Sequence, residues 1–382
     1  MNLLETVVDL DAIAANTELL KRLVFPAQLM CVVKADGYNH GIVEVAQVMV
    51  AHGADQLGVA TLAEAQKLRA AGITVPILCW IWSPEQDFIA AIENNIDLAV
   101  ISVRHAEAIV AEAVRRNGGM ETGTSGNAAI RVCIKVDTGL HRSGVDEAQW
   151  QEVFALLNMP GIMVTGVMSH LACADDVSDE YTNRQADAFR RAIACGRAAG
   201  LALPVNHLCN SPGTLTRPDL YFDMVRPGLA AYGLEPIAGL AHRLQPAMRW
   251  EAAVTVVKPI KAGQGVSYSL TWHAPTDGFI AVIPCGYADG LPRNAQSQVE
   301  VTIAGRRYPQ VGRICMDQFV VFLSDNPAGV TAGDRAIIFG PGGMSAQELA
   351  YRLDDISYAI VCRPGGRTVR RFEGRAAAEI TR

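Results

Sequence analysis

The sequence has no run of Lys or Arg longer than two, no C-x-x-C pair among its nine cysteines, and no unbroken apolar stretch longer than Val75–Trp82, Pro76 included. The first absence, with a net charge of −6, removes the basic footprint that nucleic-acid binding requires. The second argues against a disulfide framework and a cysteine zinc site, and favours a reducing, cytoplasmic setting. The third leaves nothing long enough to span a bilayer as a helix. The first residues, with acids at Glu5, Asp9 and Asp11 and no basic n-region, do not read as a signal peptide. A soluble cytoplasmic protein with no nucleic-acid or membrane partner is expected. Several common signatures are also missing: Lys34-Ala-Asp-Gly-Tyr-Asn stands where a G-x-G-x-x-G turn would follow the first core strand, and there is no Walker A, G-x-S-x-G or H-E-x-x-H sequence. No metal site is expected.

What is present is a chain of 382 residues, 50% apolar and 19% charged, with 34 Gly and 18 Pro spread along it. That composition excludes disordered, collagen-like and coiled-coil proteins. Eight short β-branched apolar runs alternate with helical stretches: 29–33, 57–60, 75–81, 98–101, 130–136, 162–168, 205–209 and 224–226. Eight such units are the count of a closed (β/α)8 barrel, whereas a doubly wound sheet would more often have five or six strands. Thr61-Leu-Ala-Glu64 reads as a capping box, and Ser83-Pro84 as a helix start with proline at the first helical position. After residue 240 the helical period fades, and 254–260, 278–283, 299–303, 319–323 and 335–339 read as strands between Gly and Pro turns. The expected organisation is therefore α/β: an N-terminal (β/α)8 TIM-like barrel over 1–240 and a mainly β C-terminal domain over 241–382, with which the first few residues could also pack. Glu121–Asn127, a Gly/Ser/Thr run before strand five, reads as a surface loop of no assigned role.

Barrel enzymes carry their reactive groups at the C-terminal ends of the strands. Strand one ends here in Lys34, strand five leads into Lys135-Val-Asp-Thr-Gly-Leu-His-Arg142, strand six ends in His170, strand seven in Asn210-Ser211 and strand eight in Arg226. A lysine with a buried stem has its ammonium pKa lowered by desolvation and becomes a nucleophilic amine suited to Schiff-base chemistry. The competing reading is a lysine that snorkels out to pair with Asp36. By themselves, His170 could be an ordinary hydrogen-bonded histidine and Tyr268 an ordinary turn tyrosine.

The stretch Val32-Val-Lys-Ala-Asp-Gly-Tyr-Asn-His-Gly41 resembles the cofactor-lysine motif of the alanine racemase family, barrel enzymes of fold type III that use pyridoxal 5′-phosphate. Lys135–Gly144, Ser169–Asp175, Val225–Gly228, Val266–Tyr268, Ile283–Gly290 and Gly312–Gln318 resemble its other signatures, in family order. The first motif departs from the usual Lys-Ala-Asn-Ala-Tyr-Gly-His-Gly at Asp36, Gly37 and Asn39 but keeps Lys34, Tyr38 and His40.

The resemblance implies a homodimer with shared active sites, interconverting L- and D-alanine by a two-base mechanism and supplying D-alanine for peptidoglycan. Lys34 would hold the cofactor and act as one base; Tyr268, reaching into the neighbouring subunit, would be the other, its phenol tuned through His170 and Arg226. Arg226 would face the pyridine nitrogen, and a guanidinium that does not give up its proton leaves that nitrogen unprotonated, favouring racemisation over decarboxylation. Phosphate binding falls to Ser211–Gly213, Gly228, Leu229, Tyr38 and Tyr358, of which Tyr358 could equally be a packing tyrosine, and Asn210 is a further cofactor-binding candidate. Arg142 and the backbone N–H of Met316 would bind the substrate carboxylate, with Tyr287 and Asp317 near the entrance. Lys135 matches a lysine often carbamylated in the family; the simpler alternative is a salt bridge to Asp137 or another acid. A racemase acting on serine or larger amino acids, and a non-catalytic pyridoxal-phosphate carrier, are the alternatives, although a single-barrel carrier needs no second domain.

Overall fold

The computed structural model describes residues 2–118, 129–176, 178, 180–237 and 239–380. The Glu121–Asn127 run lies outside the described residues. The first strand, Leu4–Asp9 (β1), does not enter the barrel: it pairs antiparallel with Met248–Ala253 and parallel with Val369–Glu373, in the sheet of the C-terminal half. Asp9 then caps the helix Leu10–Val24, its Oδ1 accepting from the N–H groups of Asp11 and Ala12. Asp11 in the first turn and Lys21 and Arg22 in the last oppose the helix dipole.

Seven parallel strands follow: Gln28–Val32 (β2), Gln56–Thr61 (β3), Ile77–Ile81 (β4), Asp97–Val100 (β5), Ile130–Lys135 (β6), Ile162–Met168 (β7) and Met224–Val225 (β8), in the order β7-β6-β5-β4-β3-β2-β8. His207 bridges in parallel to Met168 on one side and Met224 on the other, which closes the ring. The barrel is the TIM-like one anticipated, with its seventh strand shortened to a single bridging residue. Alternation fills both faces of the sheet. Met30, Leu78, Ala99, Cys133, Met168 and Met224 meet inside the barrel, while Leu29, Cys31, Leu57, Ile77 and Val132 pack outward under the helices. Burial on two faces is why these strands read as continuous apolar runs. Each such fully buried aliphatic side chain is worth about 1.5–3 kcal/mol.

The Thr61–Glu64 capping box forms as read, at the start of the helix Leu62–Ala70. Ser83-Pro84 does not start a helix: Ser83 bonds Gln86 and Glu85 through side chains, and the next helix is Ile89–Glu93. Local side-chain acceptors satisfied the donors that a helix N-terminus would have offered.

The C-terminal half is mainly strands: Met248–Ala253 (β9), Val256–Ile260 (β10), Gly265–Val266 (β11), Trp272–His273 (β12), Gly278–Ile283 (β13), Glu300–Ile303 (β14), Arg306–Val311 (β15), Phe319–Ser324 (β16), Arg335–Phe339 (β17) and Val369–Glu373 (β18). Nine strands form one sheet, β10-β13-β16-β15-β14-β17-β9-β1-β18, and β11 pairs with β12 as a separate hairpin whose turn carries Tyr268. Three short helices also occur here, Ala346–Arg352, Ser357–Cys362 and Arg375–Ile380. The second lies against the barrel: Asn39 Nδ2 donates to the carbonyls of Val361 and Pro364.

Candidate active site

Past the end of β2 the chain makes a left-handed turn. Ala35, Asp36, Gly37, Tyr38 and Asn39 have φ of 52°, 53°, 65°, 52° and 64°. Only Gly37 and Asn39 tolerate that region readily; for the others it costs about 1 kcal/mol or more each. The turn is held by compensating bonds. Gly37 N donates to Val33 O, Asn39 N to Ala35 O and Gly41 N to Asp36 O, each at 2.9 Å. Glu64 Oε1 accepts from Ala35 N at 2.7 Å, so the same carboxylate that closes the capping box also fixes this turn. Asp36 is taken by Arg370 at 2.7 Å and Lys67 at 3.3 Å and does not pair with Lys34. Lys34 Nζ instead points over Trp80, 6.0 Å from the ring centroid, into a cavity of about 770 Å³.

Lys34, Tyr38, Lys135, Arg142, His170, Asn210, Ser211, Arg226, Gly228, Leu229 and Tyr358 all line this cavity. Four of them are cationic side chains, and no carboxylate is among the lining residues. Desolvation, then the Arg142 charge, lower the Lys34 pKa. Desolvation again comes first at Lys135, followed by Arg142 and Arg226, and brings it down to about 8. Lys135 makes no pair with Asp137, whose Oδ1 accepts from the N–H groups of Gly139 and His141; its Nζ donates to Ser143 Oγ at 2.5 Å. The cavity is thus an anion receptor with its cations crowded together.

Arg226 stands at the floor, only 6% exposed. Nη1 donates to His207 O at 2.8 Å and lies 3.1 Å from His207 Nδ1; Nη2 donates to Ser169 O at 2.6 Å and lies 3.4 Å from His170 Nδ1. Burial and the neighbouring guanidinium hold both imidazoles well below their ordinary pKa. They are neutral acceptors at Nδ1, an assignment set by the arginine's obligatory donors. Burial lowers Arg226 itself to about 10, which leaves it charged at neutral pH. With both terminal nitrogens committed, Nε is free of protein acceptors among the described residues while Arg226 lines the cavity. It is a donor on the cavity wall, open to an acceptor.

At the opposite end, Ser211 Oγ accepts from Gly228 N at 2.9 Å and Ala230 N at 3.2 Å, which leaves its hydroxyl proton to donate elsewhere. A Cβ on Gly228 would lie 2.2 Å from Tyr38 Oη, so glycine is what allows backbone and phenol to close on the same space. Burial pushes the Tyr358 phenol up to about 12 and raises Tyr38 further, keeping both as neutral O–H donors. Asn210 caps the segment Ser211–Thr216, its side chain accepting from Gly213 N at 3.2 Å.

Tyr268, Tyr287, Met316 and Asp317 do not line the cavity of their own chain. Tyr268 is 70%, Tyr287 44% and Met316 52% exposed. Asp317 is bound to Arg367, which also chelates the buried Asp289. Lining residues that escaped the sequence reading include Trp80, Trp82, Ile101, Ile356 and Cys362. His207 also escaped it, although a histidine inside a run read as a barrel strand was the available signal.

Family models described as the alanine racemase N-terminal and C-terminal domains match residues 8–236 and 247–372. An alanine racemase of Corynebacterium efficiens is 62% identical over 98% of this chain and 99% of its own. The crystal structure of alanine racemase from Corynebacterium glutamicum superposes with a TM-score of 0.86 at 57% identity, covering 98% of this chain and all of that one. That of the D-cycloserine-producing Streptomyces lavendulae superposes with a TM-score of 0.91 at 39% identity, over 98% of both chains.

Proposed function

The chain belongs to the alanine racemase family, and from that premise we propose how its residues interconvert L- and D-alanine. The observation that carries the reading is the cavity with four cationic side chains and no carboxylate, matched to a ligand set with a phosphate and a substrate carboxylate. Pyridoxal phosphate fits it: the free Nε of Arg226 suits an unprotonated pyridine nitrogen, and Tyr38, Ser211, Gly228, Leu229 and Tyr358 form the cradle for its phosphate. When bound, this cofactor withdraws electrons from the amino acid attached to it and so acidifies the α-C–H bond.

Lys34, its pKa lowered by burial, holds the cofactor and exchanges the α-proton on one face of the substrate. The partner subunit's Tyr268 exchanges it on the other. Arg142, which makes no ion pair among the described residues, grips the carboxylate, with the backbone N–H of the partner subunit's Met316 beside it. Arg226, whose guanidinium holds its own proton, would meet the cofactor's ring nitrogen as a donor and leave it unprotonated, and the neutral His170 beside it would connect that fixed charge to the tyrosine. The partner subunit's Tyr287 and Asp317 stand at the entrance. Lys135 sits among like charges with its pKa near 8, a setting in which a carbamate would replace a repelled cation by an anion able to orient Arg142. The assembly is a homodimer working in the cytoplasm, and its D-alanine enters peptidoglycan synthesis.

Circular-dichroism assays of L- and D-alanine, with and without added pyridoxal phosphate, test the proposal. Turnover in both directions that needs the cofactor, and a reduced chromophore trapped on Lys34 by borohydride, are expected. Turnover that survives Lys34→Ala would overturn it.

A further inference from the structure

Tyr268 stands on a turn that the backbone adopts reluctantly. Ser267 before it has φ 64° and ψ −171°, and Ser269 after it φ 60° and ψ 12°. The first of these is a conformation nearly reserved for glycine, and a serine there is strained. What serine has and glycine lacks is a hydroxyl. Ser267 Oγ donates to Arg313 O at 2.7 Å and lies 3.3 Å from Cys315 Sγ. Gly312, at φ 67°, lets that loop press against the hairpin, since a Cβ there would sit 2.7 Å from Val266 O. The loop leads directly into Met316. On its far side, Tyr287 N donates to Cys315 O and Ala288 N to Met316 O, each at 3.1 Å. The three exposed residues read as facing the partner are therefore cross-tied through one loop.

We infer that Ser267 is a positioning residue whose hydroxyl pins the Tyr268 turn to the Arg313–Met316 loop, so that phenol and Met316 N–H enter the neighbouring cavity as one rigid unit. The inference rests on Tyr268 being the base that acts on L-alanine. It explains why a strained serine occupies a position where glycine would be free of strain: the side chain is retained for its bond, against the preference of its backbone. A neutral pin also leaves the phenol itself without a hydrogen-bond partner among the described residues of its own chain.

Two variants separate strain from pinning. Ser267→Ala keeps the strain and loses the hydroxyl, whereas Ser267→Gly relieves the strain and loses the hydroxyl. Because the overall equilibrium ties the two directions together, forward and reverse turnover must fall in parallel, by about tenfold in kcat/KM for one lost hydrogen bond. The discriminating readout is the isotope effect. In both variants the α-deuterium effect should grow with L-[α-²H]alanine and shrink with D-[α-²H]alanine, because a slower transfer at Tyr268 makes abstraction by Lys34 less rate-limiting. A second readout needs no cofactor: amide exchange at Leu270, whose N–H bonds Ser267 O at 3.2 Å, should quicken in the cofactor-free Ser267→Ala protein. Wild-type isotope effects in Ser267→Gly, or equal growth with both enantiomers, would overturn the inference. Tyr268→Phe is the control. If it keeps wild-type turnover, the assignment of the base fails; if it loses turnover while the Ser267 variants behave as wild type, only the pin fails.

Discussion

Arg226 Nη1 lies 3.1 Å from Nδ1 of His207, and the imidazole meets the guanidinium as a neutral acceptor because burial and that same cation keep it unprotonated. Its remaining N–H is then directed to Cys133 Sγ, 3.6 Å away. The residue that closes the barrel also supports the cation at its floor. His207→Phe should destabilise the cofactor-free protein by about 2 kcal/mol, the cost of removing an acceptor from a buried charged donor. Urea denaturation measures it, and His207→Gln, which restores an acceptor, should recover part of the loss.

The proposed phosphate cradle depends on the absence of one methyl group. Gly228→Ala would put a carbon 2.2 Å from Tyr38 Oη, and the tyrosine ring cannot yield easily because it packs 4.8 Å from Tyr232. Cofactor titration should show affinity weakened by about tenfold or more, with Tyr38→Phe giving a smaller loss. Unchanged affinity in Gly228→Ala would place the phosphate elsewhere.

Stability should fall on the acid side through buried histidines. Burial brings His40 from its ordinary 6.5 to about 4 and holds His170 and His207 well below 6.5, so between those limits the unfolded chain binds more protons than the folded one. The contribution of His40 is complete above pH 6.5 and is lost as pH falls toward 4, and those of His170 and His207 are likewise complete above pH 6.5 and decline with falling pH. For His40, which is fully buried, the loss is roughly 3 kcal/mol at 1.36 kcal/mol per pKa unit. Lys135 acts at the other end: lowered from 10.5 to about 8, it makes the cofactor-free protein more stable as pH rises between those values. Lys135→Met should flatten that alkaline slope in urea midpoints while leaving the acid limb intact.

Arg367 holds the loop that carries Tyr287 to the loop that carries Met316 and Asp317. It bonds both oxygens of Asp289, which is fully buried, and reaches Asp317 at 2.7 Å. Arg367→Ala leaves the buried Asp289 carboxylate with backbone N–H donors alone, and the cost should appear as a lowered urea midpoint. Asp289→Asn in the same background should relieve much of that cost.

The barrel was legible because its strands are buried on two faces and separated by helical stretches of the expected length. The run 205–209 illustrates the limit: Val205, Leu208 and Cys209 read as strand, yet only His207 makes a ladder contact. The left-handed turn after Lys34 was not legible, since Ala35, Asp36 and Tyr38 have no preference for positive φ and are forced there by Glu64, Arg370 and backbone bonds. Nor were β15 and β18, whose charged and proline-bearing sequences, Arg-Arg-Tyr-Pro-Gln-Val and Val-Arg-Arg-Phe-Glu, mask half-exposed sheet positions. The pairing of β1 with β18 joins residues from opposite ends of the chain, a relationship no local pattern encodes. In the site, the residues found were those carried by motifs. Trp80 and His207 were missed because each looks, in sequence, like an ordinary residue of a core strand.

The central claim is that each active site draws Lys34 from one chain and Tyr268 from the other, as the exposure of Tyr268 and its absence from its own cavity suggest. Mixed dimers of Lys34→Ala and Tyr268→Ala subunits test this most directly. Each variant alone should be nearly inactive. After subunit exchange, half of the dimers are mixed, and each holds one site with both bases intact, so about a quarter of wild-type turnover should return. Recovery near that level is the predicted result; no recovery, with mixed dimers shown to form, would contradict a shared site.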